Sequence, residues 1–509
     1  MELPEGWVWV TLDEIMKKIV DGTHHTPTYT TKGIPFISVK DIRNGKIYFD
    51  DCKYISLEEH EILCQRCKPE LGDLLITKSG TIGRCAVVDT KTPFSLFVSV
   101  ALLKPASNEI SASFISLAFQ SWFQTINVQN DVTGSTIKNF HLIDFRRLTL
   151  PLPPFNEQKR IVAAIESLRN RSQNARSALA AIPELCDKFR QSVLAAAFRG
   201  DLTADWREQN PDVEPASVLL ERIRQERRQR WEEAEIQKLQ LEGKAIRDSR
   251  WKDRYEEPET PNDSYLSELP QNWRWINIDN LAFVVRGASP RPAGNPKYFG
   301  GEVPWITVSE ITKDENIYLE STSSFVTEEG KQKSRFIEEG TFLLTNSGAT
   351  LGVPKITKVS GCINDGSVAL LFLGEELKIY LYYFLTSLTQ SLRAINQGAA
   401  QPNLNTTIVR NIMVPLPPLE EQQAVVKQIQ TQLSTIGSVE SCVLNDLHKI
   451  DYLNCSILAK AFRGELVEQD PNDEPASVLL ERIRAEREQQ TQGKAKKSGK
   501  KGQRTIKAE

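Results

Sequence analysis

The chain has 509 residues, of which 63 are Lys or Arg and 66 are Asp or Glu, for a formal net charge of −3. That length is several times the usual domain size, so several cores are expected, and the slight acidity excludes a protein that coats nucleic acid indiscriminately while allowing a local basic face. No apolar run reaches the roughly 18 to 20 residues that span a bilayer and no basic-then-apolar leader opens the chain, so a cytoplasmic protein with no membrane partner is expected, its eight cysteines reduced.

Residues 1–150 read as a mixed α+β domain. Short β-branched runs such as 35–39 and 74–78 are separated by Gly, Asp and Asn turns, with one apolar helix near 114–126. Residues 151–228 change character. Ile161, Ile165, Leu168, Ala175, Leu179, Ile182, Phe189, Val193 and Ala196 recur at alternating steps of four and three, with Ser172 and Cys186 filling the seam. Pro153 and Pro154 suit a helix start and Gly200 a helix stop, giving a helix of about 45 residues or roughly 65 Å. Pro183 predicts a kink or break there. A second helix follows over 214–228, and the charge-dense run across 229–264 reads as a solvated helical spacer and linker.

The pattern then repeats. Residues 265–414 form a second mixed domain with its apolar helix near 380–395, and 415–488 a second helical region whose seam is Ile429, Leu433, Ile436, Val443, Leu447, Ile450, Leu453 and Ile457. The helical regions match at an offset of 264, with PLPPFNEQ at 151–158 against PLPPLEEQ at 415–422 and AFRGDL at 197–202 against AFRGEL at 461–466, and then at an offset of 260, where EPASVLLERIR at 214–224 is repeated letter for letter at 474–484. No Pro183 equivalent interrupts the second helix, where Leu447 stands. Each apolar stripe needs a partner that the other copy supplies, so the fold class is α+β with two long helices paired as an antiparallel coiled coil under a pseudo-two-fold repeat. The basic tail 489–509 has too little apolar content to fold around, and disorder is expected.

The polar chemistry gathers at strand ends: DGTHHTPT (21–28), TKSGTIGR (77–84) and TGSTIKN (133–139) in the first domain, RGASPRP (286–292), TNSGATLG (345–352) and NQGAAQPNLN (396–405) in the second. Small residues admit close approach of a ligand, and the donors between them suit phosphates and base edges. Lys78, Arg84, Lys138, Arg286 and Arg291 are the candidate phosphate contacts. His24, His25, Thr136, Asn139, Asn346, Gln397, Gln401, Asn403 and Asn405 are the candidate base readers, and the hydroxyls of Thr23, Thr26, Ser79, Thr81, Ser135, Ser289, Ser347 and Thr350 complete the set. Any one of these loops also reads as an ordinary turn; the binding reading rests on three loops recurring at matched positions with altered polar letters.

Catalytic marks are missing from the sequence. There is no Walker A loop, nucleophile elbow, H-E-x-x-H or dinucleotide G-x-G-x-x-G, and PLPPF lacks the Asn or Asp of the amino-methyltransferase motif. His24 and His25, adjacent on a strand, point apart, and Cys64 and Cys67 form a lone C-x-x-C, so no metal is expected. A non-catalytic binding protein is the reading; a protein-binding coiled-coil scaffold is its alternative, and an enzyme with an unfamiliar site a weaker one.

Taken together and in order, LPEGW, IPFISVKDI, SGTIGR, PLPPFNEQ, AFRGDL and PASVLLERIR, then LPQNW through the second PASVLLERIR, resemble the specificity subunits of type I restriction-modification systems. The resemblance implies two target-recognition domains, each reading half of a split, asymmetric double-stranded DNA sequence, with the helices as a ruler. It implies partners: two methylation subunits that modify adenine with S-adenosylmethionine, and two restriction subunits that use ATP and Mg. This chain itself would bind no cofactor. The 229–263 extension and the basic tail depart from the family pattern.

Overall fold

The computed structural model describes residues 3–133, 140–243, 249–259, 262–348, 350–394 and 404–502. The long helices are α1 (Ala112–Thr133), α2 (Phe155–Ala180), α3 (Ile182–Arg199), α4 (Ala216–Leu241), α5 (Glu375–Ala394), α6 (Leu419–Ala461) and α7 (Ala476–Gly502). Two compact units emerge, and they do not follow the linear order of the repeat: one is Met1–Ala180 with Val443–Glu509, the other Ala181–Cys442. The first therefore holds α1, α2, the last part of α6 and α7, and the second α3, α4, α5 and the first part of α6.

In the first unit the strands Met16–Asp21, Val100–Pro105, Leu74–Thr77 and Cys85–Val87 pair antiparallel in that order. Alternation along each strand fills two cores. Leu74, Ile76, Ala101 and Leu103 face Phe114, Ile115 and Phe119 of α1, while Leu75, Val100 and Leu102 pack with Ile37 and Leu96 of a second, three-stranded sheet. The second unit repeats this with Phe283–Arg286, Ser367–Leu371, Phe342–Thr345 and Pro354–Thr357, with Tyr318–Leu319 added at the edge. Phe342 and Leu344 share a core with Tyr380 and Phe384 of α5, and Leu343 and Ala369 pack with Ile306 and Ile363 of the second sheet.

Helix pairing is antiparallel within each unit. Ile161 and Ile165 of α2 share a core with Ile457 and Ala461 of α6, and Arg176 pairs with Asp451. In the second unit Phe198 of α3 packs with Val425 and Ile429 of α6, and Arg190 pairs with Glu440. The break expected at Pro183 is present at Ala181, between α2 and α3, because proline has no N–H for the Leu179 carbonyl; α6 runs unbroken for 43 residues. Gly200 and Gly464 end their helices with φ of +83° and +74°.

In each unit a separate two-stranded sheet, Val8–Thr11 with Thr149–Leu152 or Arg274–Asn277 with Met413–Leu416, is fastened to the start of a long helix. The Trp7 indole donates to the buried Glu157 carboxylate at 3.0 Å, and Trp273 donates to buried Glu421 at 2.8 Å. The helices after the glycines clamp the same place: Ala216 N–H bonds Asn272 O in the second unit, and Ala476 N–H bonds Gly6 O in the first. Thus α4 serves the second unit and α7 the first.

Two expectations change. The run after 228 is not a solvated spacer: α4 continues to Leu241, Arg227 is buried 3.9 Å over the Phe283 ring, and Trp231 stacks on Trp251 at 6.0 Å. Lys252–Glu232 and Arg254–Glu235 pairs at 2.6 and 2.9 Å then close the extension onto α4. The charge count concealed three aromatics, Trp231 on α4 and Trp251 and Tyr255 in the turn that follows, which pack together. In the tail α7 continues to Gly502, since the Ala, Lys and Gln that cannot make a core still favour helix; 503–509 lie outside the described residues.

Two substitutions in α6 should move stability in opposite directions in thermal unfolding of the full chain. Glu421→Ala strands Arg207 and the Trp273 indole and should cost about 3–5 kcal/mol. Gly437→Ala, in an interior turn where an added Cβ meets nothing within 4 Å, should stabilise by up to about 1 kcal/mol.

Candidate nucleic-acid interface

The central sheets of the two units end alike. Past Asp21 the chain runs through Gly22, where a Cβ would lie 2.0 Å from the Leu96 carbonyl oxygen; past Arg286 it runs through Gly287, where a Cβ would lie 2.0 Å from that of Asn364. Only glycine allows so close an approach. Gly22 N–H donates to Val100 O at 3.2 Å and Gly287 N–H to Ser367 O at 3.0 Å.

The second loop is pinned by a buried threonine at the end of its strand. Thr77 Oγ1 donates to Thr81 O at 2.6 Å and accepts from Arg84 N–H at 2.9 Å; Thr345 Oγ1 donates to Thr350 O at 2.6 Å and accepts from Val353 N–H at 2.8 Å. After the third loop the chain returns through Phe140 N–H to Lys78 O at 2.9 Å, or Leu404 N–H to Asn346 O at 2.8 Å. The same backbone bonds thus hold the first two loops, and the residue that follows the third, at one end of each sheet.

The polar side chains on this shared frame differ, even in sign. Asp21 is buried and receives the Lys78 ammonium at 2.6 Å, the Arg66 guanidinium, and His24 Nε2 at 3.2 Å. Burial pushes its carboxyl up, but Lys78, His24 and Arg66 together outweigh burial and hold it below the ordinary value. Arg286 occupies the matching place in the second unit and donates from Nε to the Asp365 carbonyl at 3.0 Å. The Asp365 carboxylate accepts from Ser289 at 2.5 Å and Arg291 at 3.3 Å. The Ser289 bond leads a set, with Arg291 and Arg286, that holds this carboxyl low against burial.

His24, His25, Thr26, Thr81, Arg84, Arg286 and Arg291 are exposed, and Ser79, Ser289, Ser347 and Thr350 are half-buried beside them. Others are committed to the frame. Thr23 is buried and bonds His25, Lys78 is 13% exposed and tied to Asp21, and Asn405 caps the helix Thr406–Arg410 by accepting from Ile408 N–H at 2.8 Å. Asn346 is enclosed at 0% exposure, with no partner for its amide among the described residues, so in this conformation it cannot meet a base edge. Ser135, Thr136, Lys138, Asn139, Gln397, Gln401 and Asn403 lie outside the described residues.

Sequence reasoning missed the two carboxylates that organise the cations. Asp21 begins DGT and Asp365 lies in NDG, both turn signals that were open to reading. It also missed a cleft of 440 Å³ beside Ser79 and Gly80, walled by Tyr29, Phe36 and Phe97, where Lys53 Nζ sits 3.9 Å over the Tyr29 ring. Among the described residues no group of three His, Cys, Asp or Glu is placed to hold a metal ion, and no helix is long and apolar enough to cross a membrane.

Comparison with known proteins adds the family. The model of the type I restriction modification DNA specificity domain matches residues 4–182 and 270–440. The chain is 24% identical to the type I restriction enzyme EcoKI specificity subunit of Escherichia coli K12, covering 96% of each chain. It is 25% identical to the StySPI specificity subunit of Salmonella potsdam, again covering 96% of each. Its fold resembles the HsdS subunit from Thermoanaerobacter tengcongensis, with a TM-score of 0.56 at 20% identity over 91% of this chain and 98% of that one. With the family model covering well over half of its length, the chain belongs to the type I restriction modification DNA specificity family.

Proposed function

We propose that this chain is the DNA specificity subunit of a type I restriction-modification complex, each unit reading one half of a bipartite, asymmetric target. The observation that carries this is the shared loop frame bearing different exposed polar groups, His24, His25 and Arg84 in one unit against Arg286 and Arg291 in the other. Two equal frames with unequal donors suit a target whose halves differ. The chain does no chemistry itself and binds no cofactor. Adenine methylation with S-adenosylmethionine, and ATP- and Mg-dependent restriction, belong to partner subunits in the cytoplasm.

Two copies of each partner fit the repeat. Phe189 in α3 and Leu453 in α6 are equivalent positions, and each is 50% exposed instead of closing the helix seam as its spacing suggested. A half-exposed apolar side chain at matched places in both units suits docking of one partner copy per unit.

The test is methylation sequencing of DNA from cells making this chain with its methylation subunit, against cells making that subunit alone. A new split motif methylated in both halves is expected. A soluble, methylation-competent complex that yields no new motif and retains no DNA by sequence would leave the scaffold reading in its place.

Within that complex, His25→Ala should relax the sequence read in one half and leave the other half intact. Arg291→Ala should weaken binding to all duplexes alike and lower the salt dependence of affinity by about one phosphate. Lys78→Ala should instead reveal its tie to Asp21, costing roughly 1–3 kcal/mol in thermal unfolding, so loss of DNA binding without loss of stability would contradict the structural role assigned to it.

A further inference from the structure

The first unit carries a basic cleft that the second lacks. It lies beside the base of the Thr77–Arg84 loop, has a volume of 540 Å³, and is lined by Arg84 from the sheet and by Arg169, Gln173 and Arg176 from α2, with Asn454 from α6 opposite. No carboxylate is among its lining residues. Arg84 donates only weakly to the Ile42 carbonyl, at 3.4 Å, and Arg169 donates to the neutral Gln120 Oε1 at 3.0 Å. Among the described residues neither guanidinium has a salt-bridge partner; only Arg176 has one, in Asp451. Burial presses on Arg169, lowering its pKa.

The repeat supplies an internal control. Where the first unit has Arg84, Arg169 and Arg176, the second has Val353, Leu433 and Glu440. Leu433 packs against its unit's core, and Glu440 is neutralised by Arg190, the counterpart of Asn454. The scaffold is therefore built without a basic cleft in one of its two copies, and the arginines of the other are not needed to form it.

We propose that this cleft holds a backbone phosphate of the duplex flanking the bases read by the first unit, with Arg169 as its principal donor. The inference rests on the DNA-reading function proposed above. An ion pair that is missing on one side, in a pocket continuous with a reader loop, fits an anion that arrives with the ligand. A guanidinium presents paired donors in the geometry that a phosphate accepts. Because a phosphate contact carries no base information, this site adds affinity to one half of the target without changing its sequence.

The experiment measures affinity of the intact complex with its methylation subunit for a target duplex and for a scrambled one, across a salt series. Arg169→Gln should weaken binding to both duplexes, lower the slope of log affinity against log salt by about 0.9, and leave the methylated motif as it was. Arg169→Lys keeps the charge and should retain most of that slope; unchanged thermal unfolding of the two variants separates binding from folding. Wild-type slope and affinity in a folded Arg169→Gln complex would overturn the proposal. So would weakened assembly with the methylation subunit at unchanged DNA slope, which would make the cleft a protein-docking surface. If the wild-type complex does not discriminate target from scrambled DNA at all, the underlying reading has failed before the variants are compared.

Discussion

The arrangement of each unit depends on one buried carboxylate at the first turn of a long helix. Glu157 and Glu421 sit where the helix dipole favours negative charge, and each accepts the indole N–H of the tryptophan that precedes the first strand of its unit's two-stranded sheet. Beside them Gln158 and Gln422 donate to the Pro153 and Pro417 carbonyls, both at 2.9 Å. A buried carboxylate is costly unless compensated, so the strand and helix can meet in few other ways. The compensation is unequal: Glu421 also receives Thr203 and Arg207, whereas burial pushes the Glu157 carboxyl up against the help of Trp7, and its second oxygen has no partner among the described residues. Fixing that strand to the helix start ties the entry and exit of each reader, Val8–Thr11 with Thr149–Leu152 and Arg274–Asn277 with Met413–Leu416, to one place.

That division of labour separates support from reading. The loop frame is held by main-chain bonds, by buried threonines and by two glycines that no other residue can replace without displacing a carbonyl. None of those interactions involves the side chains that face solvent. A change from aspartate to arginine at the start of the first loop is therefore absorbed by new local partners, Lys78 in one case and the Asp365 carbonyl in the other, while the backbone stays as it was.

Much of this was legible in the residues because the repeat prints it twice. The proline break, the glycine stops, most of each helix seam and the loops at 21–28, 77–84, 286–292 and 345–352 follow from local rules of spacing and backbone freedom. What was not legible arises from long-range contacts. The role of Glu157 needs Trp7, 150 positions away, as its donor. Lys78 looked free until Asp21 folded beside it, and Asn346 looked exposed until the return through Leu404 covered it. The extension after 228 misled for the opposite reason: its charges are numerous, but the three aromatics that dock it, Trp231, Trp251 and Tyr255, decide its placement.

The interleaved composition of the units also sets the order in which they can be finished during synthesis. The first reader leaves the ribosome early, yet its core needs Ile457, Leu458 and Ala461 of α6 and Ala476, Leu479 and Ile483 of α7. The whole of Ala181–Cys442 must be made in between, which at about 5–20 residues per second is a delay of roughly ten to fifty seconds. The unit encoded in the middle of the chain is thus complete first, and the one that begins the chain waits with part of its apolar face open until the last helix emerges.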